Sequence, residues 1–293
     1  MAFWLSRQLA RKTTFLTTAF KDVMQLYMGL HMSTHVSYLE GGAGAEVRRL
    51  VEENSAGYVA AVYEKAAYVK TRDDDLVMFT SEPATPYCVY LGRWWDLLKG
   101  ALRTGLEIRF KNMEVSVGGS FSVKLVDLGY PAPLTPSKPP AEMVRKALSL
   151  LTLIDTGVLS WRECVEGTAA LRASKPADIL GSLIPLIGSG PGATPAADDF
   201  TAGVLLAFHV AEFDVDAKPL IDHAKRFSRW PSWKMLEHAG HGCSFIQLNR
   251  VHEALCSRDV NKLYESILES MRIGSSSGIC ILKGFLETLL SLT

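Results

Sequence analysis

No two cysteines in this 293-residue chain are spaced as CxxC, and the total is an odd five: Cys88, Cys164, Cys243, Cys256 and Cys280. That scarcity argues against a disulfide framework and against a structural zinc site, and for a reducing, cytoplasmic setting with buried thiols. His238 and His241 lie near Cys243 but lack a further ligand pair, so they read as packing or capping residues. An excess of either charge is missing too: 31 Lys and Arg face 31 Asp and Glu, with no basic stripe. Nucleic acid is therefore not an expected partner. Nor is a membrane, because no apolar run approaches the roughly 20 residues a span requires. Residues 1–31 carry Arg7, Arg11, Lys12 and Lys21 without a compact apolar core or a small-residue cleavage site, so they do not read as a signal peptide. They look like an appendage, and translation is expected to start near Met32.

What remains is an ordinary globular composition, 48% hydrophobic and 21% charged, in a chain long enough for one large or two modest domains. From Gly57 to Val126 the hydrophobic period is two. Leu106, Ile108 and Phe110 alternate with Glu107, Arg109 and Lys111; after a turn at Asn112, Met113, Val115 and Val117 alternate with Glu114 and Ser116, and Phe121, Val123 and Leu125 repeat the pattern. Tyr58 to Tyr68, Leu76 to Thr80 and Tyr87 to Leu91 add three strands, and Trp94 to Arg103 reads as a helix among them. Six or so short strands predict a small barrel or sandwich over residues 32–130. Residues 131–140 hold five prolines and read as a linker or a domain-crossing segment.

Beyond it the period changes to 3.6. Helices are expected at 141–154, 159–173, 177–186, 195–213, 232–238, 246–256, 260–271 and 276–290. The fold class is therefore α+β, a β-rich domain followed by a helical one at 141–293.

The helical half carries the chemistry-bearing motifs. Gly188-Ser-Gly-Pro-Gly-Ala-Thr-Pro-Ala-Ala-Asp-Asp-Phe200 puts Gly188, Gly190 and Gly192 at alternate positions and runs into an apolar segment. Thr194 reads as the N-cap and Pro195 as the first helical residue. A small-residue loop feeding a helix start presents unpaired N–H groups at the positive end of a helix dipole, where phosphates and carboxylates bind. Gly188, Ser189, Gly190, Gly192 and Thr194 are thus anion-binding candidates. Asp198 and Asp199 follow in the first turn, where they are placed to hold Mg²⁺ or to act in catalysis. Adjacent helical residues point about 100° apart, so one is expected to be the ligand and the other to brace the loop. Gly274-Ser-Ser-Ser-Gly278 opens a second apolar helix. Gly274, Ser275, Ser277 and Gly278 join the binding candidates, with Ser276 as a catalytic hydroxyl. Two such loops predict two buried helix N-termini converging on one site.

The 188–203 stretch resembles the signature of a prokaryotic family of unknown function related to the small subunit of oxamate carbamoyltransferase, which acts in anaerobic allantoin breakdown. Gly274 to Gly278 resembles that family's second signature, and Leu236 to Gly242 a linking one. The β-half is similar through Gly57-Tyr-Val-Ala-Ala-Val-Tyr63 and Pro86 to Leu91, which extends the resemblance over about residues 33–292. Two positions depart from the family: Ala196-Ala197 replaces Ser-Gly, and Gly274-Ser275 replaces Gly-His.

The resemblance implies exchange of a carbamoyl group between an amide and phosphate, on a metabolite of the carbamoyl phosphate, oxamate or oxalurate type. Larger partner subunits would assist. Two other readings fit the same residues. One is a non-catalytic module that senses a metabolite or nucleotide; the other is a stand-alone Mg²⁺-dependent phosphohydrolase or phosphotransferase.

Overall fold

The computed structural model describes residues 36–155, 157–191 and 193–292. The N-terminal extension and Gly192 therefore lie outside the described residues.

Eight strands form a closed barrel: β1 (Ser37–Ala43), β2 (Ala56–Val62), β3 (Ala66–Thr71), β4 (Leu76–Thr80), β5 (Cys88–Tyr90), β6 (Glu107–Lys111), β7 (Glu114–Val117) and β8 (Phe121–Leu128). Their order around the barrel is β1-β5-β4-β3-β2-β6-β7-β8. Pairing is antiparallel except for β1 with β8 and β4 with β5. The expected alternation holds: Ile108 and Phe110 of β6 and Val115 and Val117 of β7 are buried, while Glu107, Arg109 and Lys111 face water. Asn112 and Met113 both adopt positive φ, the geometry of a two-residue hairpin that matches strand twist.

Side chains fill the interior, as eight strands allow. Helix α1 (Val47–Glu52) adds Val47, Leu50 and Val51 to this core, and α2 (Trp95–Ala101) adds Trp95 and Leu98. Tyr58 to Tyr68 reads in the sequence as one strand. The chain instead turns at Glu64-Lys65, closed by Tyr63 N–H on the Ala66 carbonyl at 2.8 Å, so this run is the β2–β3 hairpin.

The proline-rich segment is less a free linker than a strap across the helices. Its Leu134 N–H donates to the Gly242 carbonyl at 2.9 Å. The carbonyls of Ala132, Leu134 and Ser137 meet Asn249, His209 and His252.

Nine helices follow among the described residues: α3 (Ala141–Ile154), α4 (Arg162–Ala173), α5 (Ile179–Leu183), α6 (Ala196–Val210), α7 (Lys218–Phe227), α8 (Trp230–Gly240), α9 (Ile246–Ser257), α10 (Val260–Ser270) and α11 (Ser277–Ser291). Helix α7 is unforeseen; it buries only Leu220, Ile221 and Ala224, and a proline stands at its start. Helix α6 is buried on nearly every side, with only His209 half-exposed, and α11 lies against it. Where the two meet, a Cβ on Gly203 would stand 2.1 Å from the Ile281 carbonyl oxygen. One on Gly284 would stand 2.0 Å from that of Phe200. Only glycine permits backbones this close.

Among the described residues no helix is long and apolar enough to cross a membrane.

Candidate functional site

The close approach of α6 and α11 brings their starts together. Thr194 Oγ1, just before α6, lies 3.2 Å from Oγ of Ser277, the first residue of α11. Pro195, rather than Thr194, occupies the cap position. The Thr194 hydroxyl turns aside to Asp199, donating to its Oδ2 at 3.3 Å, and so leaves the cap.

The two aspartates have opposite fates. Asp198 is 1% exposed, and its oxygens take three donors: Gly188 N–H at 2.7 Å, Ser232 Oγ at 2.6 Å and Ser228 Oγ. It ties the glycine loop to Ser228, between α7 and α8, and to Ser232 of α8, and it does not line the cleft described below. Asp199 does. Burial pushes its carboxyl up to about 8, opposed by the Ser277 hydroxyl, reinforced by the Asp198 charge and opposed again by Thr194. At pH 7 Asp199 is therefore mostly protonated, an O–H donor rather than an anion.

Mg²⁺ does not fit this donor set. Three hydrogen-bond donors occupy Asp198, and Asp199 is buried against the Thr194 and Ser277 hydroxyls. Among the described residues no group of three or more His, Cys, Asp or Glu stands together to hold a metal. His238, near Cys243, instead stacks on Tyr87 of the barrel with ring centroids 4.3 Å apart.

Asp199 and Thr194 open onto a cavity of about 540 Å³ between the barrel and the helices, and Gly274, Ser275, Ser276 and Ser277 complete its polar end. The convergence expected from the two loops is realised here for Thr194 and the serine loop. It is not realised for the glycines of the first motif. Gly188, Ser189 and Gly190 stand outside the cleft, and the Gly188 and Ser189 amides already bond to Asp198 and to the Leu186 carbonyl. Pro191 and Ala193 line it in their place. Gly278 is buried behind the loop: a Cβ there would meet the Ser270 carbonyl oxygen at 1.8 Å.

The departures from the family pattern separate in the same way. Ala196 and Ala197 pack beneath the glycine loop, whereas Ser275 lines the cleft.

Sequence reasoning missed the cleft's remaining walls. Arg272 stands two residues before Gly274 and Lys65 at the tip of the β2–β3 hairpin; both line the mouth. Neither has an ion-pair partner among the described residues, although Glu82 and Glu269 share the rim and Glu269 is engaged by Arg250 at 2.5 Å. A basic residue beside a Gly-Ser loop was a legible signal. Nothing in the β-half marked Lys65 or Tyr68 as cleft residues, and Tyr63 stood out only within the Gly57–Tyr63 resemblance, because their place depends on how the barrel docks.

The docking seam is specific. Lys234 Nζ of α8 meets Asp75 at 2.9 Å, with both side chains largely buried. Trp230 Nε1 donates to the Asp74 carbonyl at 3.2 Å. Leu76, Met78, Tyr87 and Cys88 of the barrel pack with Cys243, Met235 and Phe245 from the helices.

Residues 186–289 match the family model of the oxamate carbamoyltransferase subunit AllH, so this segment is related to that family. The match spans α6 to α11 and both loop motifs and leaves the barrel outside it. No curated protein and no solved structure matches the chain.

Proposed function

We propose that the chain is a subunit of a carbamoyl-transfer assembly and that the cleft binds its small anionic metabolite, of the oxamate, oxalurate or carbamoyl phosphate type. The observation that carries this reading is the convergence of Thr194, Asp199 and the serine loop on one cleft, with Arg272 and Lys65, which have no ion-pair partner among the described residues, at its mouth. Arg272 offers a planar fork to a carboxylate or phosphate, and Lys65 a second positive charge. Deeper in, the hydroxyls of Thr194, Ser275, Ser276 and Ser277 accept and donate hydrogen bonds, and the start of α11 favours negative charge.

Carbamoyl transfer from an amide nitrogen to phosphate builds negative charge on the carbamoyl oxygen as the phosphate attacks. A neutral Asp199 can hydrogen-bond to that oxygen without the electrostatic penalty a carboxylate would bring; collapse of the tetrahedral intermediate then breaks the C–N bond, and the departing amide nitrogen takes up the proton that the attacking hydrogen phosphate gives up. Asp199, bonded by the Ser277 hydroxyl, is thus the proposed catalytic group, with Ser276 in the same lining, while Asp198 positions the loop. The matched family's description as a subunit supports completion of the site by larger partners.

Thermal denaturation of the purified chain with phosphate, carbamoyl phosphate, oxamate and oxalurate tests this. A ligand at 100 times its Kd adds about 2.7 kcal/mol. At least one of the four should raise the melting temperature, and Arg272→Ala should abolish the rise. No shift with any of them contradicts the reading.

A further inference from the structure

The cleft is roomier and more apolar than its anion-binding end requires. Its volume of about 540 Å³ falls within the range of roughly 300–1,000 Å³ that encloses drug-sized ligands. Oxamate and phosphate would occupy only the end beside Asp199 and the serines. The rest of the wall is built from Tyr63, Tyr68, Met78, Met235 and Phe245. The Tyr63 and Tyr68 rings meet edge to face, with centroids 5.1 Å apart and planes at 61°. Tyr63 is 42% exposed, a large aromatic left open at the cleft. Within the same lining, Gln247 Oε1 is buried and accepts no hydrogen bond among the described residues. A buried acceptor of this kind is costly to leave unmade and calls for a donor.

We infer that this wall is a subsite for the heteroaromatic ring of a nucleoside phosphate, whose phosphate occupies the anion end of the cleft. The inference rests on the anion-cleft reading above. Aromatic faces and adaptable methionines suit a flat ring, and a ring amine can donate to Gln247 Oε1. Lys65 and Arg272 face the phosphate, with Glu82 and the Arg250-bound Glu269 completing the rim. Because the phosphate and the small metabolite share one end, a nucleotide competes with oxamate rather than joining it.

Two probes differ only in the base: AMP and ribose 5-phosphate, titrated by calorimetry beside oxamate. AMP is expected to bind about tenfold tighter than ribose 5-phosphate, the order of one ring stacked on an aromatic side chain. Tyr63→Ala, at an exposed position, should bring AMP down to the affinity of ribose 5-phosphate and leave oxamate unchanged. Gln247→Leu should weaken AMP alone. Equal affinities for the two probes, or AMP binding indifferent to both substitutions, overturn the ring subsite. If oxamate binds and AMP does not, the subsite falls and the anion cleft stands. If none of the three binds, both readings fall.

Discussion

Asp198 and Asp199 share a helical turn, yet one is saturated with donors while the other is buried against two hydroxyls with its proton retained. Their substitutions should therefore diverge. Asp198→Ala strands the Gly188 amide and the Ser228 and Ser232 hydroxyls in the interior. Hydrogen bonds to charged groups are worth about 1.5–3 kcal/mol each, so a stability loss of about 3 kcal/mol or more is expected in chemical denaturation. Asp199→Asn keeps a neutral group of the same shape and should instead change the response to pH. Between about pH 4, where an unfolded Asp ionises, and about 8, the native state holds a proton that the unfolded chain has released. Its stabilising contribution is therefore complete below about pH 4 and lost as pH rises toward 8. The urea midpoint of the parent chain should fall more steeply over that window than that of Asp199→Asn. Parallel profiles would contradict a protonated Asp199.

At the scale of elements, the meeting of α6 and α11 decides where the loops go. Gly284→Ala drives a methyl group into the Phe200 carbonyl, and overpacking of this kind costs about 1–3 kcal/mol. It should also weaken oxamate binding, since both helix starts line the cleft. Gly181→Ala in α5 is the matched control: nothing lies within 4 Å of its Cβ, so a gain of about 0.5–1 kcal/mol is expected.

Elements with strong periodicity were legible in the sequence. Helix α3 falls on 141–154 as expected, α6 and α11 fall close to their expected bounds, and β6 to β8 follow their alternation. Strand β1 was not legible, because Gly41 and Gly42 interrupt its pattern and its parallel partner β8 is distant in sequence. The β2–β3 turn was hidden because Glu64-Lys65 carries none of the glycine, proline or asparagine that marks a turn. For the site, the helix starts were legible from glycine, serine and proline chemistry. Which glycines would face a ligand was not, since that depends on Asp198 drawing the Gly188 amide away from the cleft.

At the scale of the molecule, the cleft exists because the barrel docks on the helices, and its walls come from both sides of the seam. Lys234→Met removes the partner of Asp75 across that seam. A stability loss of about 1–3 kcal/mol is expected, the order of a part-buried charge losing a hydrogen-bonded partner. Oxamate affinity should fall with it, whereas an unchanged affinity would mean that the barrel wall contributes nothing to the anion end.

The most direct test is calorimetric titration of oxamate into the full chain across about pH 6 to 9, with Asp199→Asn beside it. If the protonated carboxyl holds the ligand, affinity stays level to about pH 8 and then falls toward tenfold per further unit, while the Asn variant stays level throughout. Absence of binding at every pH, or an affinity that ignores pH in the parent chain, would contradict the assignment of Asp199 and the cleft to that role.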